Sequence, residues 1–227
     1  MNKIQFHWCF SQKYATFVKS RGVISMHQSI ENLVKNRIIN RGHGWCFTSM
    51  HFSDLGNDPS IRKALSLLQK QNFIRRLAQG VYDYPVIHDL LGIIPPDLNE
   101  VAKAIAEKNG VQIQPAGAHA ANLVGLSNQV PGRVIFLTEG PSRTVKIGNQ
   151  KIVFKKTTKK IMSSAGTKEG LLIQAMKNLG KDHIDQIARA RIAEFLSNSS
   201  EKEIRDNMKF APAWMRVIVF EIIGLKP

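Results

Sequence analysis

Residues 57–84, NDPSIRKALSLLQKQNFIRRLAQGVYDY, admit few folds, because the spacing of apolar side chains changes period part-way through. Asp58 is read as a helix N-cap and Pro59 as the first helical residue, where a missing N–H costs nothing. Ile61, Ala64, Leu65 and Leu68 then recur at the spacing of one helix face. At about 100° per residue, Arg62, Lys63, Ser66 and Lys70 gather on the opposite side. Past Asn72 the pattern turns β-prone, and Gly80 supplies the positive φ that a tight hairpin needs. Arg75 and Arg76 are neighbours on one arm of that hairpin, so they point to opposite faces of their strand.

Upstream, Ile30, Leu33, Val34 and Ile38 trace a buried helical stripe that begins after Met26 and stops at Arg41 and its following glycines. WCF is a short strand, and Thr48 caps a brief helix expected to run through Leu55. Helix, strand, short helix, longer helix, hairpin is the order of a winged helix-turn-helix, expected over residues 26–92. In that arrangement the third helix enters the major groove and the hairpin lies along the backbone. At most one of Arg75 and Arg76 heads for the core side, and the other, with Gln79 at the tip, is placed for phosphate or minor-groove contact beside the Arg62 and Lys63 face of the helix. The alternative for each arginine alone is a solvated surface charge.

Pro95-Pro96 is stiff and extended and is read as a domain boundary, leaving 93–227 as a second, mixed α+β domain. Asp97 with Glu100 reads as a capping box, and Leu98, Val101, Ala102 and Ile105 as the buried face of its helix. VQIQP and RVIFLT read as strands, and TVKIGNQKIVF as a hairpin around Gly148-Asn149. Starts near Thr167, at Ser200 with Glu203, and at Pro212 give three or four short helices to the end. The fold class is therefore α+β. Residues 1–25 are read as an extension ahead of Met26; their scattered lysines, without a continuous apolar centre, argue against a secretory signal.

Charge narrows the class of partner. The formal net charge is +15, from 32 basic and 17 acidic residues, which favours a polyanion and first of all nucleic acid. Residues 133–160 alone carry eight basic residues against Glu139, so that hairpin is a second candidate surface, for phosphate or for an acidic protein. Cys9 and Cys46 make no disulfide framework and no zinc set, which fits a reducing cytoplasm. No apolar run of about 18 residues exists, so no membrane partner is expected.

Catalytic motifs do not converge. There is no P-loop, no G-x-S-x-G and no H-E-x-x-H, and the seven histidines lack metal-ligand spacing. His119, in AGAHAAN, is read as structural. A metal-dependent nuclease commonly places a carboxylate two residues before a lysine to hold Mg²⁺. No Asp/Glu-x-Lys occurs here, and Phe154 stands in the acidic position of KIVFKK. The expectation is a non-enzymatic protein with no catalytic residue, metal or cofactor; the alternatives are a nucleic-acid enzyme with an unrecognised metal site and an interaction module for an acidic partner.

Four stretches, LAQGVYDYP, IQPAGAHAANLVGLSNQVPGRVIFLTEGPSRTVKIGNQKIVF, LGKDHID and FAPAWMR, resemble the AbiEi-like antitoxins of type IV toxin–antitoxin systems, from about Ser29 to Met215. The resemblance implies an amino-terminal winged helix-turn-helix that represses the protein's own operon by binding double-stranded promoter DNA. It also implies a carboxy-terminal antitoxin domain that counteracts a nucleotidyltransferase-like toxin, directly or indirectly. By the same resemblance, the DNA contacts are Ser60, Arg62, Lys63 and Ser66 on the Pro59–Gln71 helix with Arg75, Arg76 and Gln79 on the wing, and Ser142, Arg143, Lys146 and Lys151 in the central block are the candidate antitoxin surface.

Overall fold

The computed structural model describes residues 29–225, so the expected extension of residues 1–25 lies outside it. The described chain is mixed α+β. Helix α1 (Ile30–Arg41) starts where Ser29 Oγ accepts from the Asn32 amide and stops at Gly42, whose φ of +86° no side-chain-bearing residue adopts easily. Strand β1 (Cys46–Phe47) leads to a single 3₁₀ turn at Ser49–Phe52, in place of a helix through Leu55. That turn closes on itself because the Thr48 amide donates to His51 Nδ1 at 3.1 Å.

Helix α2 (Asp58–Lys70) buries Ile61, Ala64, Leu65 and Leu68, as the periodicity requires. Its cap is Asn57 and not Asp58: Asn57 Oδ1 accepts from the Ser60 amide at 3.0 Å, and Pro59 falls second in the helix. An amide oxygen caps as well as a carboxylate, which frees Asp58 to pair with Arg62 one turn on. Strands β2 (Arg75–Ala78) and β3 (Val81–Asp83) join at Gly80, φ +68°, and β1 pairs with β3 to give the antiparallel order β1-β3-β2. Under this sheet Val34, Ile38, Phe47, Phe52, Leu65 and Leu68 form a core whose members are each essentially inaccessible. Each such Leu or Ile contributes about 1.5–3 kcal/mol relative to exposure.

The segment ahead of Pro95-Pro96 folds into a short exposed ribbon, β4 (Ile87–His88) paired with β5 (Gly92–Ile93). Helix α3 (Leu98–Lys108) comes next; Asp97 caps it through the Asn99 amide, but Glu100 turns away from the cap to Lys103, 2.7 Å distant, so no capping box closes. Strand β6 (Ile113–Ala116), helix α4 (Ala118–Val124) and strands β7 (Arg133–Thr138), β8 (Arg143–Ile147) and β9 (Gln150–Lys156) build a second sheet of order β6-β7-β9-β8. β7 and β9 run parallel, and β8 folds back outside them as an edge strand.

The two sheets are not independent. Cys46 and Val81 from the first sheet share one core cluster with Leu98, Val101 and Ile105 of α3 and with Phe136, Ile152 and Phe154 of the second. Apolar side chains thus cross the boundary expected at residues 92–93. Burial there pushes the Cys46 thiol up to about 12, reinforced by the neighbouring Asp83 carboxylate. The remaining chain forms α5 (Lys159–Met162), α6 (Lys168–Leu179), α7 (Gln186–Leu196), α8 (Glu201–Met208) and α9 (Ala213–Ile222), the last four packed with α4 around Leu172, Met176, Ile192 and Met215. The caps at Thr167 and Ser200, with Glu203 closing the Ser200 box, lie where the capping patterns put them. The start of α7 at Asp185 was not anticipated.

Helix α6 approaches the turn before it so closely that a Cβ at Gly170 would lie 1.9 Å from the Ser164 carbonyl oxygen. Gly170→Ala is therefore expected to destabilise the protein by more than about 2 kcal/mol, despite Ala's better helix propensity. A urea-denaturation midpoint at or above the native value would contradict this packing. Cys46 is expected to resist iodoacetamide at pH 8 until the chain unfolds, as read by peptide mass spectrometry, since alkylation needs the thiolate.

Candidate nucleic-acid interface

The exposed face of α2 and the β2–β3 hairpin meet at a cleft of about 370 Å³. Arg62 reaches it from α2, and Arg76 and Gln79 reach it from the hairpin, so three residues singled out from two separate motifs stand around one opening. Ser49, Leu65, Gly80, Tyr82 and Lys108 complete the lining. Lys63 and Ser66 are exposed further along α2, outside the cleft. Ser60 is half-buried in the first turn, where its amide is committed to Asn57.

Lys108 was not anticipated. It sits at the end of α3, and a tertiary contact brings it over: His51 Nε2 donates to Glu107 Oε2 at 2.8 Å, pinning the end of α3 beside the 3₁₀ turn. Lys108 Nζ then reaches the Gln79 carbonyl at 3.4 Å, and a Cβ on Gly80 would approach it to 2.9 Å. In sequence Lys108 reads only as a cation near a helix C-terminus, a role that needs no ligand.

The two hairpin arginines have different work. Arg75 lies directly opposite Asp83 in the β2–β3 register. Its Nε donates to Asp83 Oδ1 at 3.1 Å and its Nη2 to Oδ2 at 2.6 Å, with a further bond from Nη2 to the Ile94 carbonyl at 3.2 Å. Asp83 is 1% exposed. A carboxylate at that depth requires its counter-charge, so Arg75 is assigned to the fold rather than to phosphate contact. Arg76 projects to solvent, near a β-bulge between Arg76 and Ala78, and among the described residues makes only a long bond to the Ala78 carbonyl at 3.4 Å.

Arg62 is also paired, its Nε 2.7 Å from Asp58, but the two side chains are 73% and 53% exposed. Such a pair is worth about 0.3–0.5 kcal/mol, little enough to be exchanged for a phosphate or a base edge. Elsewhere in the module, Arg37 donates to both Asp54 oxygens at 2.6 Å and holds that carboxyl down to about 2.

The central-block residues divide, with Lys146 and Lys151 register partners on adjacent strands and Ser142 and Arg143 at the other end of that ladder. Ser142 Oγ accepts from the Lys156 amide at 2.9 Å and is turn chemistry. Arg143 lies over the Phe154 ring, 5.0 Å from its centroid, and its Nη1 donates to Asn109 Oδ1 at 3.4 Å. It lines a neighbouring cleft of about 390 Å³ together with Gln79 and Lys108. Lys146 and Lys151 are exposed on the second sheet. His119 is buried, hydrogen-bonded to Asn99 Oδ1 at 2.7 Å and edge-on to Phe136, and burial pushes its pKa down. It is a packed, neutral ring joining α4 to α3. Among the described residues no three His, Cys, Asp or Glu side chains gather as a metal site, and no helix is long and apolar enough to cross a membrane.

Residues 30–204 match the profile of DUF6088, a family of unknown function. The chain belongs to DUF6088. No curated protein matches this DUF6088 chain. A crystal structure of the Rv2827c protein from Mycobacterium tuberculosis is similar at 13% identity and a TM-score of 0.41, over 85% of this chain and 75% of that one.

Replacing the two arginines should separate their roles. Arg75→Ala leaves Asp83 buried without its partner and is expected to cost about 3 kcal/mol of stability. Arg76→Ala is expected to change stability by less than about 0.5 kcal/mol. Equal urea midpoints for the two variants would show the assignment to be wrong.

Proposed function

We propose that this protein is a duplex-DNA-binding regulator in which residues 26–92 act as a winged helix-turn-helix. In this reading α2 is the recognition helix and β2–β3 the wing. The supporting observation is the cleft around which Arg62, Arg76, Gln79 and Lys108 converge, in a chain whose net charge is +15. Arg62, with Lys63 and Ser66 beside it on the exposed helix face, reads base edges in the major groove, where arginine pairs with guanine N7 and O6. Arg76 and Lys108 neutralise phosphates on either side and set the register.

The resemblance to AbiEi-like antitoxins extends this reading to a biological role. The protein represses its own operon from the promoter and counteracts a nucleotidyltransferase-like toxin through its second half, without catalysis or cofactor, in the cytoplasm. Expression of the neighbouring open reading frame should then arrest growth only when this protein is absent.

The DNA reading is tested by mobility shifts on the upstream DNA of its own operon across a salt series. Arg76→Ala should weaken binding to all sequences and flatten the logarithmic salt slope by about 0.9. Arg62→Ala should instead blunt discrimination between operator and scrambled DNA by about 1–3 kcal/mol. If both variants shift DNA as the native chain does, the cleft is not the DNA site.

A further inference from the structure

Where α5 and the turn after it meet α6 and the start of α9, the helices enclose a cavity of about 310 Å³. Small-molecule sites begin at about that size. Its walls are mostly apolar: Ile161 from α5, Ile173 from α6, Phe210 from the α8–α9 connection, and Trp214 and Met215 from α9. Phe210 and Trp214 are half-buried, and neither ring packs on another aromatic ring among the described residues. Two buried polar side chains share this apolar space. Gln174 is 7% exposed and Ser164 4% exposed, yet neither side chain makes a hydrogen bond among the described residues. No fully enclosed side-chain N or O atom lacks a partner. The Gln174 carboxamide and the Ser164 hydroxyl are therefore turned to the cavity that both residues line. Water alone would satisfy them while wetting the two rings, so an amphipathic occupant suits the site better than solvent.

The charge of the occupant follows from the same lining. Lys177, one turn beyond Ile173 on α6, is exposed, borders the cavity and has no carboxylate partner among the described residues. No Asp or Glu lines the cavity. Helix α9 adds to the positive side. Pro212 stands at its N-cap and offers no side-chain acceptor, its first turn holds no acidic residue, and the Ala213 and Trp214 amides find no acceptor among the described residues. That turn borders the cavity through Trp214 and Met215, and the positive end of a helix dipole favours an anion beside it. We propose that this cavity binds a small aromatic carboxylate, with its ring against Phe210 and Trp214 and its carboxylate held by Gln174 and Lys177. An amine or a zwitterion is disfavoured, because no acid in the lining would receive its ammonium group. The site uses no residue of the α2–hairpin cleft and stands or falls apart from the DNA reading.

Isothermal titration calorimetry of the full chain tests the site with naphthylacetate and with naphthylacetamide, which keeps the ring and lacks the charge. The acid should bind one to one, and the amide at least about tenfold more weakly, since charge-assisted hydrogen bonds are about twice as strong as neutral ones. Lys177→Met keeps the aliphatic stem and should cost the acid about fivefold while leaving the amide unchanged. Gln174→Met, close in volume, should weaken the acid about tenfold, with a thermal midpoint at or above the native one because a buried polar group has been removed. Lys146→Met, on β8 and outside the lining, should bind as the native chain does. A Gln174→Met midpoint well below the native one means that the carboxamide serves packing, and overturns the assignment. If the acid binds Gln174→Met and Lys177→Met as it binds the native chain, its site lies elsewhere on this basic protein and the cavity is overturned. Equal affinity for acid and amide, or no saturable heat up to about 5 mM acid, has the same consequence. Acetyl-Gly-Gly-Phe offers the same ring and carboxylate from a peptide's carboxy terminus and should bind more weakly than naphthylacetate; the reverse order overturns the small-molecule assignment in favour of a protein terminus.

Discussion

Asp83 ends β3, the central strand of the amino-terminal sheet, with its carboxylate almost wholly removed from water. A charge in that position is sustained only by a matching one, and the bidentate bonds from Arg75 supply it across the strand pair. The third bond, from Arg75 to the Ile94 carbonyl, ties the hairpin to the chain leaving toward α3. The orientation of the hairpin depends on this cluster, and with it the position of Arg76 and Gln79 relative to α2. Cys46 lies within its electrostatic reach, and its raised thiol pKa reflects the same low-dielectric pocket.

The amino-terminal module and the rest of the chain are mechanically joined. The shared core of Cys46, Val81, Ile105 and Phe154, the contact of β2 with β8, and the His51–Glu107 bond all cross between halves. The basic groups on α2 and the hairpin are therefore held in fixed relation to Lys108 and Arg143. A ligand that displaced α3 would move one wall of the cleft, a physical route by which events in the second half can alter the first.

Legibility in the sequence tracked the range of the interaction. Helix α2 was readable because its stripe and its breaker residues lie within about four residues of one another. Where two capping residues stand side by side, local pattern favours the wrong one: Asn57 and Asp58 offer equivalent acceptors, and only the Arg62 contact distinguishes them. Glu100 looks like half a capping box but has Lys103 within reach, and a direct ion pair competes with a bond to the backbone. The ribbon at Ile87–Ile93 escaped notice because two-residue strands leave almost no periodic signal.

The sequence by itself determined the α+β class, much of the order of elements, the apolar faces of α2 and α3, and a strongly basic charge balance. Those properties are sums over neighbouring residues, or over the whole composition, and need no knowledge of what lies across space. Tertiary structure decided which cations are spoken for. Arg75 and Arg76 are adjacent and chemically identical, yet strand alternation sends one to a buried carboxylate and the other to solvent. Lys108, some thirty residues from the hairpin, arrives at the cleft only because α3 packs against the first sheet. Availability of a charge depends on its partner, and partners are set by packing between segments that the linear order keeps apart.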